Sequence, residues 1–147
     1  MRPIRTMLMT LLAVAGFSAS SRAQEPLILS DATRSDGTTF VEQLRSAPEG
    51  RIALINTFQV TAEEAEAFKR DWSRVAEILR RKPGFVSSAL HQPVGGSTLW
   101  VNHAVWENAQ SFAAALASPE FRAAAASLKQ TGFRRIYKVE PALGPLP

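Results

Sequence analysis

A strand, a capped amphipathic helix and a hard stop follow one another between Arg51 and Gly84, and this succession constrains the fold more than any other stretch. Ile52-Ala53-Leu54-Ile55-Asn56-Thr57-Phe58-Gln59-Val60 is a largely apolar run of strand length, rich in β-branched residues. Thr61-Ala62-Glu63-Glu64 has the form of a capping box, which satisfies free amides at a helix start. Ala65, Phe68, Trp72, Val75 and Leu79 then recur at helical spacing and make one apolar stripe. Arg80, Arg81 and Lys82 sit where the helix dipole favours cations, and Pro83-Gly84 ends the helix.

The rest of the chain continues the alternation. Phe85 to Gln92 and Leu99 to Glu107 read as two strands around a hairpin turn at Val94-Gly95-Gly96-Ser97. Asn108 to Ala117 and Pro119 to Gln130 carry helical patterns, with Ser118 as cap and Pro119 in the first helical position, where its missing amide costs nothing. Thr131-Gly132 breaks the helix, and Phe133 to Val139 is a final strand. The order β-α-β-β-α-β predicts an α+β fold of the ferredoxin-like, split βαβ type. Two helices cover only one face of such a sheet. The third strand is nevertheless apolar on both sides, with Trp100, Ala104 and Trp106 on one and Val101 and Val105 on the other. Exposed apolar patches mark interfaces, so the second set predicts dimerisation through the sheet; an N-terminal arm covering that face is the alternative.

The ends read differently. Arg2 and Arg5 precede an apolar run from Met7 to Phe17, and Ser21-Arg22-Ala23 offers a cleavage site, so residues 1–23 have the form of an export signal. The run is short for a membrane span, which makes an uncleaved anchor the lesser alternative. Cleavage gives an exported chain, periplasmic or secreted, that begins at Gln24 and keeps no membrane attachment. Residues 24–50 form an N-terminal arm in which Leu27-Ile28-Leu29 suits a short edge strand, and Phe40, Val41 and Leu44 suit a helical turn behind Thr39 with Glu42 three residues on. Residues 142–147 are a proline-rich tail.

The formal net charge of +4 suggests nucleic acid until it is divided. Three of the 17 basic residues lie in the first 23 positions with no acid among them, leaving 14 against 13 beyond. A chain so nearly neutral has no electrostatic claim on phosphate backbones. With no cysteine and two histidines, cysteine-ligated zinc, iron–sulfur clusters, thiol catalysis and a histidine-rich metal site are excluded. No nucleophile elbow, phosphate loop or EF-hand loop is present either.

Five motifs in order on these elements carry a resemblance: Ile55-Asn56-Thr57-Phe58, Pro83-Gly84-Phe85, Ala104-Val105-Trp106-Glu107, Ser111-Phe112 and Ser118-Pro119-Glu120-Phe121. Together they resemble the antibiotic biosynthesis monooxygenase domain over residues 51–141. The resemblance implies a dimeric α/β barrel, a homodimer with one pocket per subunit between sheet and helices. It also implies oxygen chemistry on a small aromatic substrate without metal, flavin or heme, that is, with no cofactor. Such folds host several activities, so a non-catalytic, dimeric small-ligand-binding protein stands as the alternative.

Asn102 and Trp106 share a strand face and resemble the pocket asparagine and tryptophan of the aromatic-polyketide oxygenases; an amide donor and an indole plate suit a planar phenolic ligand. Asn56 interrupts the apolar face of Ile52, Leu54, Phe58 and Val60, and a buried amide needs partners. It matches the first-strand asparagine of the heme-degrading branch. That branch carries an axial histidine just after the residue matching Phe121, where this chain has Arg122 and four alanines, and alanine cannot ligate iron. If Gly95-Gly96 form a two-residue turn, His91 pairs with Trp100 and joins Asn102 and Trp106 as a candidate base; a three-residue loop reverses this. Asn56, Asn102, Trp106 and His91 are thus the expected catalytic set, with Trp72, Phe58, Trp100 and Phe112 as the substrate-binding wall. Arg134 and Arg135 are adjacent in a strand and point oppositely, which argues against a concerted anion site.

Overall fold

The computed structural model describes residues 37–130 and 132–140. The expected leader, the edge strand at Leu27-Ile28-Leu29 and the tail lie outside the described residues.

Four strands form one antiparallel sheet: β1 (Ile52–Gln59), β2 (Phe85–His91), β3 (Leu99–Trp106) and β4 (Gly132–Lys138), in the order β2-β3-β1-β4. With helices α2 (Ala65–Leu79), α3 (Ala109–Ala117) and α4 (Pro119–Ala125), this is the α+β ferredoxin-like arrangement expected from the order of elements. The register pairs Asn56 with Asn102 on one side and with Arg134 on the other, so even-numbered residues of β1, β3 and β4 share a face. That face is the buried one. Ile52, Leu54, Ala104, Trp106 and Ile136 pack against Ala109, Phe112 and Ala115 of α3, and Phe58 and Trp100 pack against Phe68 and Val75 of α2 and Phe121 and Ala125 of α4.

Local chemistry explains where the elements begin and end. Asn108 caps α3 by accepting the Ser111 amide at 2.8 Å. Ser118 precedes Pro119 as expected, but its hydroxyl donates backward to the Ala115 carbonyl and so closes α3 instead of capping α4. The stripe on α2 buries Phe68 and Val75, but the helix starts at Ala65, because Thr61–Glu64 closes into a turn first. There the Thr61 amide donates to Glu64 at 3.0 Å, which holds the Glu64 carboxyl below its ordinary range. Helix α4 stops at Ala125 rather than Gln130, since i→i+3 bonds from Ser127 and Leu128 tighten the last turn and bring Leu128 into the core.

An additional helix, α1 (Phe40–Ser46), precedes β1. Thr39 Oγ1 accepts the Glu42 amide at 2.9 Å while the Glu42 carboxylate accepts the Thr39 amide at 2.6 Å, a full capping box. Phe40 joins the core on the helix side of the sheet. The described part of the arm therefore does not cover the opposite face, where Ile55, Val101, His103 and Val105 lie half-buried and Leu99 and Tyr137 exposed.

Candidate active site

A cleft with about 90 Å³ of free volume lies between the sheet and the helices. Strand β1 gives it Leu54, Asn56 and Phe58; β3 gives Asn102, Ala104 and Trp106. Trp72, Val75, Ala76 and Leu79 of α2 form the roof, and Phe112 and Leu116 of α3 a side wall. Most of this lining is apolar. The polar groups are few: Asn56, Ser88, Asn102, the Trp106 indole N–H and Arg134.

Those groups are held in different ways. Asn102 Oδ1 accepts a hydrogen bond from Ser88 Oγ at 3.0 Å. With that oxygen engaged, the end of the amide left to a ligand is the Nδ2 donor. Trp106 is completely buried, braced edge-on by Phe85 at 5.4 Å and at a tilt by Phe112 at 5.2 Å. Its Nε1 has no hydrogen-bond partner among the described residues, and the same is true of Asn56 Oδ1. An unsatisfied buried polar atom costs about 1–3 kcal/mol, so folds rarely retain one without use. Gly132 leaves room for both Asn56 and Phe58: a Cβ there would stand 3.0 Å from Asn56 Oδ1 and 3.2 Å from the Phe58 ring.

Six of the eight residues expected from sequence line the cleft: Asn56, Asn102, Trp106, Trp72, Phe58 and Phe112. His91 does not. It pairs with Val101 rather than Trp100, so the register is shifted by one residue, and one residue turns a side chain to the opposite face. His91 is exposed on the side of the sheet away from the cleft. Trp100 is on the correct face but beyond the cleft, packed edge-on against Phe68 at 5.6 Å in the core beneath α2.

Of the lining residues absent from the expected set, Ser88, Arg134 and Phe40 bear on what the cleft can do. Ser88 reaches the cleft because β2 is irregular between Phe85 and Ser87. The extra residue lets Phe85 face the core with Trp106, then restores Ser88 and Leu90 to the same face. Arg134 and Arg135 do point oppositely, and Arg134 is the single charged side chain among the described lining residues. Its parity with Ile136 on a strand whose even face is buried was the available signal. Phe40 comes from α1, outside the segment that carried the family motifs. No group of three or more His, Cys, Asp or Glu among the described residues is placed to hold a metal ion.

The model of the family described as "Antibiotic biosynthesis monooxygenase" matches residues 51–141. Deoxynogalonate monooxygenase of Streptomyces nogalater is 35% identical over 78 residues, a match that spans 53% of this chain and 65% of that protein's length. The crystal structure of SnoaB, described as a cofactor-independent oxygenase from the same organism, superposes with a TM-score of 0.60 at 30% identity, covering 65% of this chain and 99% of that one. A conserved protein from Methanosarcina mazei Go1 shares the fold at a TM-score of 0.56 and 16% identity, over 62% of this chain and 94% of that one.

Proposed function

The chain belongs to the antibiotic biosynthesis monooxygenase family, and from that premise we propose that it is a cofactor-independent monooxygenase acting on a phenolic, quinol or polyketide-like aromatic compound. The observation that carries the reading is the pair of unpartnered buried atoms, Asn56 Oδ1 and Trp106 Nε1, on the wall of a largely apolar cleft. One is an acceptor and the other a donor, so a ligand bearing a hydroxyl beside an oxygen acceptor satisfies both.

The chemistry needs little more from the protein. Ground-state oxygen is a triplet and reacts slowly with paired electrons, which is why most oxygenases carry a redox cofactor. A phenolate or enolate is electron-rich enough to give oxygen one electron itself. The superoxide and the substrate radical then join at carbon, and the hydroperoxide loses water. For an anthrone, a CH₂ becomes C=O; one oxygen atom is kept and the other leaves as water, so no external reductant is consumed. The cleft supports this by holding the oxygen that becomes anionic with Asn102 Nδ2 and Trp106 Nε1, while Asn56 Oδ1 accepts a hydrogen bond from the neighbouring hydroxyl. The Arg134 guanidinium adds positive potential, and Trp72 and Phe112 lie against the rings. Oxygen uptake by the purified protein with hydroquinones and anthrones, in metal-chelated and flavin-free buffer, tests the proposal; no uptake above the uncatalysed rate refutes it.

One observation favours a second reading. The described lining holds no carboxylate or imidazole to accept the proton, as suits a protein that binds an aromatic ligand without transforming it. Tight binding without oxygen uptake selects that reading.

Two further parts belong to the proposal. The half-buried Ile55, Val101 and Val105 support pairing of a second copy against the open face of the sheet, which gives the dimeric barrel. Residues 1–23 support export, and N-terminal sequencing of the mature protein is expected to begin at Gln24; a start at Met1 refutes it.

A further inference from the structure

We propose that α1 is a size-selecting wall of this cleft and that Phe40 sets the largest aromatic ligand it admits, an inference that rests on the cleft being the ligand site. Helix α1 lies outside residues 51–141, the segment matched to the family, yet Phe40 is only 3% exposed and lines the cleft together with Asn56, Trp106 and Phe112.

Four contacts fix that ring and the helix that carries it. The Thr39 capping box determines where the helix starts and therefore that Phe40, its first residue, faces inward. The ring stands edge-on to Phe112 at 6.2 Å, and the Arg134 guanidinium sits 5.5 Å from its centre. Gln43 Oε1 accepts the Ile136 amide of β4 at 3.1 Å, one turn further along α1. A helix of 7 residues does not persist on its own in water, so these contacts are what hold the wall in place. Phe40 and Trp106 belong to one packed cluster, so the position of one ring limits the space beside the other. Specificity for ligand length is thereby assigned to a segment separate from the residues that hold the ligand's oxygen atoms.

The test compares binding of naphthol and of the larger hydroxypyrene to the full chain by calorimetry. Replacing Phe40 by alanine opens a ring-sized apolar void of the kind that accepts an aromatic guest. Phe40→Ala is expected to raise the ratio of hydroxypyrene to naphthol affinity by at least about tenfold, the scale of discrimination set by the shape of an apolar pocket. Gln43→Ala, which frees the helix without touching the lining, should move the ratio in the same direction by less. If Phe40→Ala does not fold, Phe40→Leu carries the same comparison. A ratio unchanged in folded Phe40 variants, with naphthol still bound by the wild type, overturns the role of α1 and leaves the ligand site standing. Binding of neither compound by any of the proteins overturns both.

Discussion

Replacing Trp106 by phenylalanine separates what the indole does for the fold from what it does for the ligand. The side chain is fully buried and braced on two sides by Phe85 and Phe112, so a smaller ring loses contacts and costs roughly 1–3 kcal/mol. The same change deletes a buried N–H that has no partner among the described residues, which returns about 1–3 kcal/mol. The two nearly cancel, and Trp106→Phe should unfold within about 2 kcal/mol of the wild type. Turnover has no such compensation. Loss of one oriented donor to a developing oxyanion typically lowers kcat by about 10²–10³-fold. Because the donor matters most when the oxygen is charged, kcat should fall far more than KM changes. Oxygen uptake with an anthrone gives the rates, and urea unfolding followed by circular dichroism gives the stability. A folded Trp106→Phe enzyme that turns over within about threefold of the wild type refutes the donor role. A loss of stability above about 4 kcal/mol refutes the premise that the N–H is unpaired, since nothing would then offset the lost packing.

Asn102→Ala, which removes a donor to the developing oxyanion, should lower turnover by about two orders of magnitude. Asn56→Ala, which removes an acceptor for the neighbouring hydroxyl, should weaken ligand binding by about tenfold. Each should change the melting temperature little, and normal turnover and binding in both folded variants refutes the proposed geometry. His91→Gln should leave the pH profile of turnover unchanged, because His91 lies on the far face of the sheet; a displaced pH optimum would reinstate it as the base. Val105→Lys places a charge on the open face and should yield monomers or aggregates by light scattering, whereas an unaltered particle mass, or a wild type that is itself a stable monomer, refutes pairing through that face.

The fold was legible because its signals are local. The apolar stripe on α2, the alternation along β1 and β3, the Pro83-Gly84 stop and Pro119 in the first turn of α4 each act within a few residues, and together they dictate the order of elements. Strand parity put Asn102 and Trp106 on one face, and Asn56 stood out as the amide that interrupts the apolar face of β1; the family resemblance pointed to all three as site residues. Register across the β2–β3 loop is another matter. It depends on how the backbone between Gln92 and Thr98 is wound, and Gly95, at φ +63°, is compatible with more than one loop length. One residue of difference removed His91 from the site. The irregularity in β2 was equally silent, since nothing in Phe85-Val86-Ser87-Ser88 announces which residue is extra, and Ser88 was lost with it. Trp100 failed for a different reason: parity gives the face but not the position along it, and Phe68 had already filled the space beside that ring.

The bond from the Ile136 amide to Gln43 also bears on how copies of this chain can meet. Strand β4 is an edge of the sheet, and a bare edge is a row of unpaired donors and acceptors on which another chain can add a strand. By taking the Ile136 donor with a side chain, and by laying a helix along the same strand, α1 blunts that edge against strand addition and the open-ended growth it invites. The proposed pairing through the flat of the sheet is of the other kind: two copies that close on each other there would leave no surface for further growth, and the assembly would stop at a pair.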